Sequence, residues 1–252
     1  MAKEKVYFVS DLHLGSDVLE HPHTTEKRFV RWLDTIRDEA KAIYLLGDIF
    51  DFWFEYKKTV PRGFTRFLGK IAELQDAGTE IHFFTGNHDI WMFDYFQQEL
   101  GITVHTQPLR TTINGKIFYL AHGDGLGDPS RLFHFLRWIF HNKTCQFLFA
   151  RVPPRWGMGF GHWWSQHNRK KDMACSAPYK GEENEHLVLY SKEYIQEDPD
   201  IDYFIFGHRH ILLDWALNRK TRILIVGDWM QHFSYAVFDG KELRLEQYPA
   251  DL

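Results

Sequence analysis

The chain has 252 residues, 44% of them hydrophobic and 17% aromatic, with a formal net charge of -4. That is enough apolar material for one α/β domain with an insertion, and too little positive charge overall for a general polyanion binder. Two cysteines, Cys145 and Cys175, make no disulfide framework, and no apolar run of about 18 residues is present to span a bilayer, so a reduced, cytoplasmic setting is the expectation.

Residues 6–9 read as a first strand, running into Asp11-Leu12-His13. If the segment stays extended, two residues two apart point to one side, and an oxygen beside an imidazole is half a metal site. Residues 26–38 read as a helix, with Phe29, Trp32, Leu33 and Ile36 as its core stripe. Residues 43–46 form a second strand closed by Gly47-Asp48-Ile49-Phe50-Asp51. From this stretch alone Asp48 is either a helix N-cap or a carboxylate bridging two cations, since a lone buried carboxylate needs a cation or donors. Phe52, Trp53, Phe54 and Tyr56 follow, readable equally as core or as the wall of a substrate pocket; Trp53 is the candidate contact.

Residues 64–76 predict a second helix, and residues 80–84 a third strand ending in Gly86-Asn87-His88-Asp89. Residues 111–120 carry Asn114-Gly115 between alternating runs, a hairpin signal, and end at His122-Gly123-Asp124. Residues 203–206 form another strand, ending in Gly207-His208-Arg209-His210. The closing segment, 222–248, predicts two or three strands with an Asp239-Gly240 turn, and places Trp229 and His232 in a loop.

Five strand-end loops in this order resemble the calcineurin-like metallophosphoesterases. The pattern D-x-H, G-D-x-x-D, G-N-H-D/E, a lone H and G-H-x-H is matched by Asp11/His13, Asp48/Asp51, Asn87/His88/Asp89, His122 and His208/His210. The resemblance implies an α/β fold, a four-layer αββα sandwich, with two divalent metal ions at one edge. It implies that Asp11, His13, Asp48 and His210 hold one ion, and Asp48, Asn87, His122 and His208 the other. The mixed oxygen and nitrogen set lacks thiolate and suits Mn, Fe or Zn without separating them; Mn is the expected ion. No serine or cysteine nucleophile is then required, and His88 would donate a proton to the phosphoryl oxygen or leaving group. Asp51 and Asp89 read as supporting groups, Asp89 fixing an imidazole.

Between His122 and His208 lies a long insertion. From Pro129 to Lys171 there is no acidic residue but eight basic ones, including Arg155, Arg169, Lys170 and Lys171, interleaved with Phe, Leu and Trp. Its first part has helical spacing, stopped by Pro153-Pro154. Residues 128–197 are therefore expected to form a helical cap on a core of 1–127 and 198–252. A basic, aromatic cap suits an anionic membrane surface, or a ligand with both acyl chains and phosphates, better than nucleic acid.

An insertion of this kind at this place is similar to that of the UDP-2,3-diacylglucosamine pyrophosphatases of lipid A synthesis. That resemblance implies a nucleotide-activated glycolipid substrate, cleaved to UMP and an acylated glucosamine 1-phosphate. It further implies peripheral membrane contact on the cytoplasmic side, with no nucleic acid and no obligate protein partner. Asp124, Arg155, Arg169, Lys170 and Lys171 are then substrate-contact candidates with Trp53. His88 and Arg209 depart from that group's frequent Arg and Thr. The competing readings are a soluble phosphodiesterase or phosphatase and, less favoured, a non-catalytic metal scaffold.

Overall fold

The computed structural model describes residues 3–16, 18, 21–174, 179 and 181–249, without the side chains of Pro22 and residues 167–174. The chain runs β1 (Lys5–Val9), α1 (Pro22–Ile36), β2 (Ala40–Leu45), α2 (Thr65–Asp76), β3 (Glu80–Phe84), α3 (Tyr95–Leu100), β4 (Thr103–His105), β5 (Leu109–Ile113) and β6 (Lys116–Leu120). It continues through α4 (Arg131–His141), α5 (Lys143–Phe149), α6 (Pro154–Ala174), α7 (His186–Glu197), β7 (Tyr203–Phe206), β8 (Leu212–Ala216), β9 (Arg222–Val226), β10 (Ser234–Phe238) and β11 (Leu243–Gln247). The strands form one sheet in the order β11-β10-β1-β2-β3-β4 and a second in the order β5-β6-β7-β9-β8.

Strand alternation builds four layers. On β1, Tyr7 and Val9 face the apolar stripes of α1 and α2, while Val6 and Phe8 face the other sheet. On β7, Tyr203 and Ile205 face inward, and Phe204 and Phe206 pack with Leu187 and Val188 of α7. A strand buried on both faces must be apolar throughout, which is why 6–9, 43–46 and 203–206 read as continuous hydrophobic runs. The result is the expected αββα sandwich. Helix α7, drawn from the stretch expected to be cap, supplies the layer over the second sheet.

The hairpin at Asn114-Gly115 forms as expected: both residues have positive φ, 48° and 80°, and Ile113 pairs with Lys116. Elements α3, β4 and β8 left no readable pattern. Helix α3 and β4 are too short for one, and β8 is an edge strand with only Leu213 buried. Pro153-Pro154 does not end the helical region. Pro154 opens α6 instead, since its missing N–H costs nothing in a first turn.

A histidine pair stands at the β3–β4 edge. His82 Nδ1 lies 3.2 Å from His105 Nε2, and the rings stack on Tyr44 and Phe84. Burial lowers His82, and burial together with His82 pushes His105 down to about 4. The unfolded chain therefore takes up protons first as pH falls from about 6.5 toward 4, and stability is lost through that window. Thermal melts of His105→Phe against the parent protein should show a shallower fall in Tm between those pH values. Parallel curves would remove the assignment.

Candidate metal centre

The five motif loops leave the C-terminal ends of β1, β2, β3, β6 and β7. Strands β1, β2 and β3 run parallel, as do β6 and β7, so each sheet delivers its loops to one edge. There the side chains converge into two adjoining groups, Asp11/His13/His210 and Asp48/His122/His208, with a third, His13/Asp51/His88, sharing His13 with the first. In the first, His13 Nε2 lies 3.3 Å from His210 Nε2 and 3.6 Å from Asp11 Oδ1, and His210 Nε2 lies 3.1 Å from Asp11 Oδ1. In the second, His122 Nε2 lies 3.4 Å from Asp48 Oδ2 and 3.3 Å from Asn87 Oδ1. The same Asp48 oxygen is 3.9 Å from His13 Nε2, so it faces both groups.

The backbone is bent to achieve this. Asp11, His13, Asp48, His208 and His210 all have positive φ, between 47° and 65°. The expectation that Asp11 and His13 share a side because the segment is extended is therefore incorrect. They converge because both residues are left-handed, a conformation costing about 1–3 kcal/mol each and retained where surroundings enforce it. Close approach by motif glycines helps enforce it. A Cβ on Gly207 would sit 1.9 Å from Ser10 Oγ and 2.6 Å from Asp11 Oδ2, and one on Gly86 would sit 2.2 Å from Asp48 Oδ1.

Supporting contacts aim the ligand atoms. His122 Nδ1 is 2.8 Å from the Leu46 carbonyl; a carbonyl only accepts, so Nδ1 carries a proton and Nε2 is the ring nitrogen turned to the cluster. Asp89 does not fix an imidazole. It accepts backbone N–H groups of Gly86, Asp48, Ile49 and Phe50, locking the second and third loops together. Asp51 is the carboxylate beside an imidazole, with Oδ1 3.9 Å from His13 Nδ1. Asp228, after β9, stands 3.8 Å from His210 Nδ1 and accepts from His232. It was missed in the sequence, although Gly227-Asp228 after a strand repeats the Gly47-Asp48 pattern.

Burial alone would raise the Asp11 and Asp48 carboxyls. His210 chiefly at Asp11, and His122 chiefly at Asp48, overcome that and hold both well below the usual carboxylate range. Burial and Asp48 together push Asp89 up to about 7. Burial and His122 push His208 down to about 4. Asp11 Oδ1 is buried and makes no well-aligned hydrogen bond; it points into the cluster, where the ring nitrogens of His210 and His13 lie 3.1 and 3.6 Å away. Ring nitrogens converging on buried carboxylate oxygens fit divalent cations, and the set of O and N donors suits Mn, Fe or Zn.

A cavity of about 300 Å³ opens beside this edge. Its floor is Asp51, Asn87, His88 and Asp124, and its walls include Phe52, Trp91, Phe133, Phe140, Phe149 and Trp164. Asp124, a substrate-contact candidate, lines the cavity and accepts from Arg137 Nε at 2.8 Å. Arg137, not singled out among the basic residues, is the cap cation that lines the cavity among the described residues. It lies one helical turn beyond Phe133, on the same face of α4. Arg155 is exposed and outside the cavity. The side chains of Arg169, Lys170 and Lys171 lie outside the described residues. Trp53 is not a contact: it is fully buried among Phe50, Phe64 and Phe96, and donates to Glu55. Phe52, one residue earlier and on the other side of the chain, forms the wall instead.

Two adjoining oxygen-and-nitrogen ligand groups facing one carboxylate, at the strand-end rim of an αββα sandwich, define a metal-dependent hydrolase. The chain belongs to the calcineurin-like phosphoesterase family, whose profile matches residues 4–212. It is similar to a protein named UDP-2,3-diacylglucosamine hydrolase from Porphyromonas gingivalis, with 47% identity over 255 residues and 97% of each chain covered. A protein of the same name from Aeromonas salmonicida is 28% identical over 253 residues, 95% of this chain and 92% of that one. Among solved structures, Vacuolar Protein Sorting 29 from Cryptosporidium parvum aligns with a TM-score of 0.47 at 13% identity, over 97% of both chains.

Proposed function

We propose that the protein hydrolyses UDP-2,3-diacylglucosamine to UMP and 2,3-diacylglucosamine 1-phosphate, a step of lipid A synthesis. The observation that carries this reading is the aromatic cavity beside the ligand cluster, which shares Asn87 with it and has Arg137 at its side. The name of the P. gingivalis relative supports it. Asp11, His13, Asp48 and His210 would hold one divalent cation, and Asp48, Asn87, His122 and His208 the second, with Mn favoured. Bound there, the cations supply Lewis-acid polarisation of the phosphoryl oxygens and an acidified water for in-line attack.

The chain's own groups do the rest. His88 donates a proton to the phosphoryl or leaving oxygen. Arg137, held by Asp124, offsets phosphate charge, and the aromatic walls take an acyl chain. Incubation with UDP-2,3-diacylglucosamine and Mn²⁺ should release UMP. Turnover of a soluble phosphodiester with none of this compound would overturn the substrate and favour the soluble phosphodiesterase reading.

The protein reaches this substrate at the cytoplasmic surface of the membrane, by peripheral contact. Leu132, Phe135, Trp138, Leu148, Trp156 and Trp163 are 56–70% exposed on the cap, in the stretch free of acidic residues. Large exposed apolar side chains among basic ones suit an anionic lipid surface. No helix among the described residues is long and apolar enough to cross a membrane. Trp138→Ser/Trp156→Ser/Trp163→Ser should lose sedimentation with phosphatidylglycerol vesicles while keeping the parent Tm; undiminished sedimentation would remove the membrane contact.

A further inference from the structure

The cap helix α6 has a narrow buried face. Gly157, Gly161 and Ser165 are buried, while Trp156, Phe160 and Trp163 on the same helix are exposed. A spacing of four places the three buried residues in one row. A Cβ on Gly157 would lie 2.1 Å from the Tyr56 hydroxyl, and one on Gly161 would lie 2.3 Å from the Phe52 ring. The helix therefore seats on the segment carrying Phe52 and Tyr56 at a distance only glycine permits. Glycines in its first turns also weaken it as a free helix, so its order depends on that seat.

The third residue of the row reaches the reaction centre. Ser165 Oγ lies 3.0 Å from His88 Nδ1, and the Asp51 carbonyl oxygen lies 3.0 Å from the same nitrogen. The carbonyl only accepts, so Nδ1 carries a proton, and Ser165 Oγ is a second acceptor for it. One oxygen leaves an imidazole able to swing about the bond; two oxygens from separate segments set the ring plane. Nε2 is then the ring nitrogen left to meet substrate.

We infer that Ser165 is a positioning residue for His88, and that seating of α6 on Phe52 and Tyr56 and alignment of the His88 ring are one event. The cap then does more than cover the cavity: it completes the site only when closed, limiting turnover of compounds that do not hold it there. The inference rests on His88 being the proton donor proposed above.

Its test is a double-mutant cycle on the Mn²⁺-loaded protein, reading kcat and KM separately for UDP-2,3-diacylglucosamine. Ser165→Ala should lower kcat roughly tenfold, the weight of one hydrogen bond, with KM within about twofold and metal content unchanged. Ser165→Thr, which keeps the hydroxyl, should restore kcat. In a His88→Ala background, Ser165→Ala should cost nothing further. An equal loss in both backgrounds, or a loss confined to KM, would overturn the inference, because Ser165 would then act on the substrate or on cap folding. A kcat lowered by His88→Ala but untouched by Ser165→Ala would overturn it alone. An unaltered kcat in His88→Ala would overturn the proton-donor reading and the inference with it.

Discussion

Asp48→Ala is expected to abolish turnover and to release bound metal. Asp48 Oδ2 faces both ligand groups, 3.4 Å from His122 Nε2 and 3.9 Å from His13 Nε2, so its loss strips a donor from each. Its other oxygen accepts the His88 backbone N–H at 2.8 Å, so the third loop loses an anchor as well. The loss should exceed the roughly 10–100-fold fall in metal affinity or activity that follows removal of an outer hydrogen-bond partner. Asp48→Asn separates charge from shape, because Asn tolerates the left-handed φ of 51° that Ala accepts poorly. It should fold like the parent and still fail to retain two equivalents of metal. Elemental analysis after gel filtration, beside UMP release, checks both variants; two retained equivalents in Asp48→Asn would refute the shared role.

His88→Ala is expected to behave differently, keeping its metal while turnover slows by roughly 10²–10⁴-fold, the range for a lost general acid. The structure gives the reason for the split. The bond from His88 to Asp48 is made by the backbone N–H, which alanine retains. The imidazole instead is held at Nδ1 by Asp51 and Ser165 and lines the cavity beside Asn87. Equal turnover in the variant, at parent metal content, would dismiss the donor. Loss of metal would mean that the ring itself is a ligand, through its grouping with His13 and Asp51.

Much of this was legible before any fold was seen. The strands at 80–84 and 203–206 and the Asn114-Gly115 hairpin were readable because each depends on local chemistry: an apolar run, or residues tolerant of positive φ. The motif residues Asp11, His13, Asp48, Asn87, His122, His208 and His210 were readable because each follows a buried strand, where an unpaired polar group needs a reason. Trp53 and Phe52 show the limit. Both are aromatic neighbours after one motif, and only tertiary packing sends one into the core and the other to the cavity wall. Arg137 and Ser165 carried no signal of their own, since a basic residue and a serine on an amphipathic helix default to solvent.

The sequence by itself determined the order and chemical type of the ligands and an insertion rich in cations and aromatics, and the two-sheet class followed only from the family resemblance that those motifs carry. Those properties live in short stretches of chain, where strand period and residue type suffice. Only the tertiary structure decided that Asp11 and His13 converge through left-handed backbone, that α7 covers the second sheet, and that Arg137 rather than Arg155 faces the cavity. Each of these is set by contacts between segments far apart in the chain, whose relative placement is fixed by packing and by the close approach that Gly86, Gly161 and Gly207 allow.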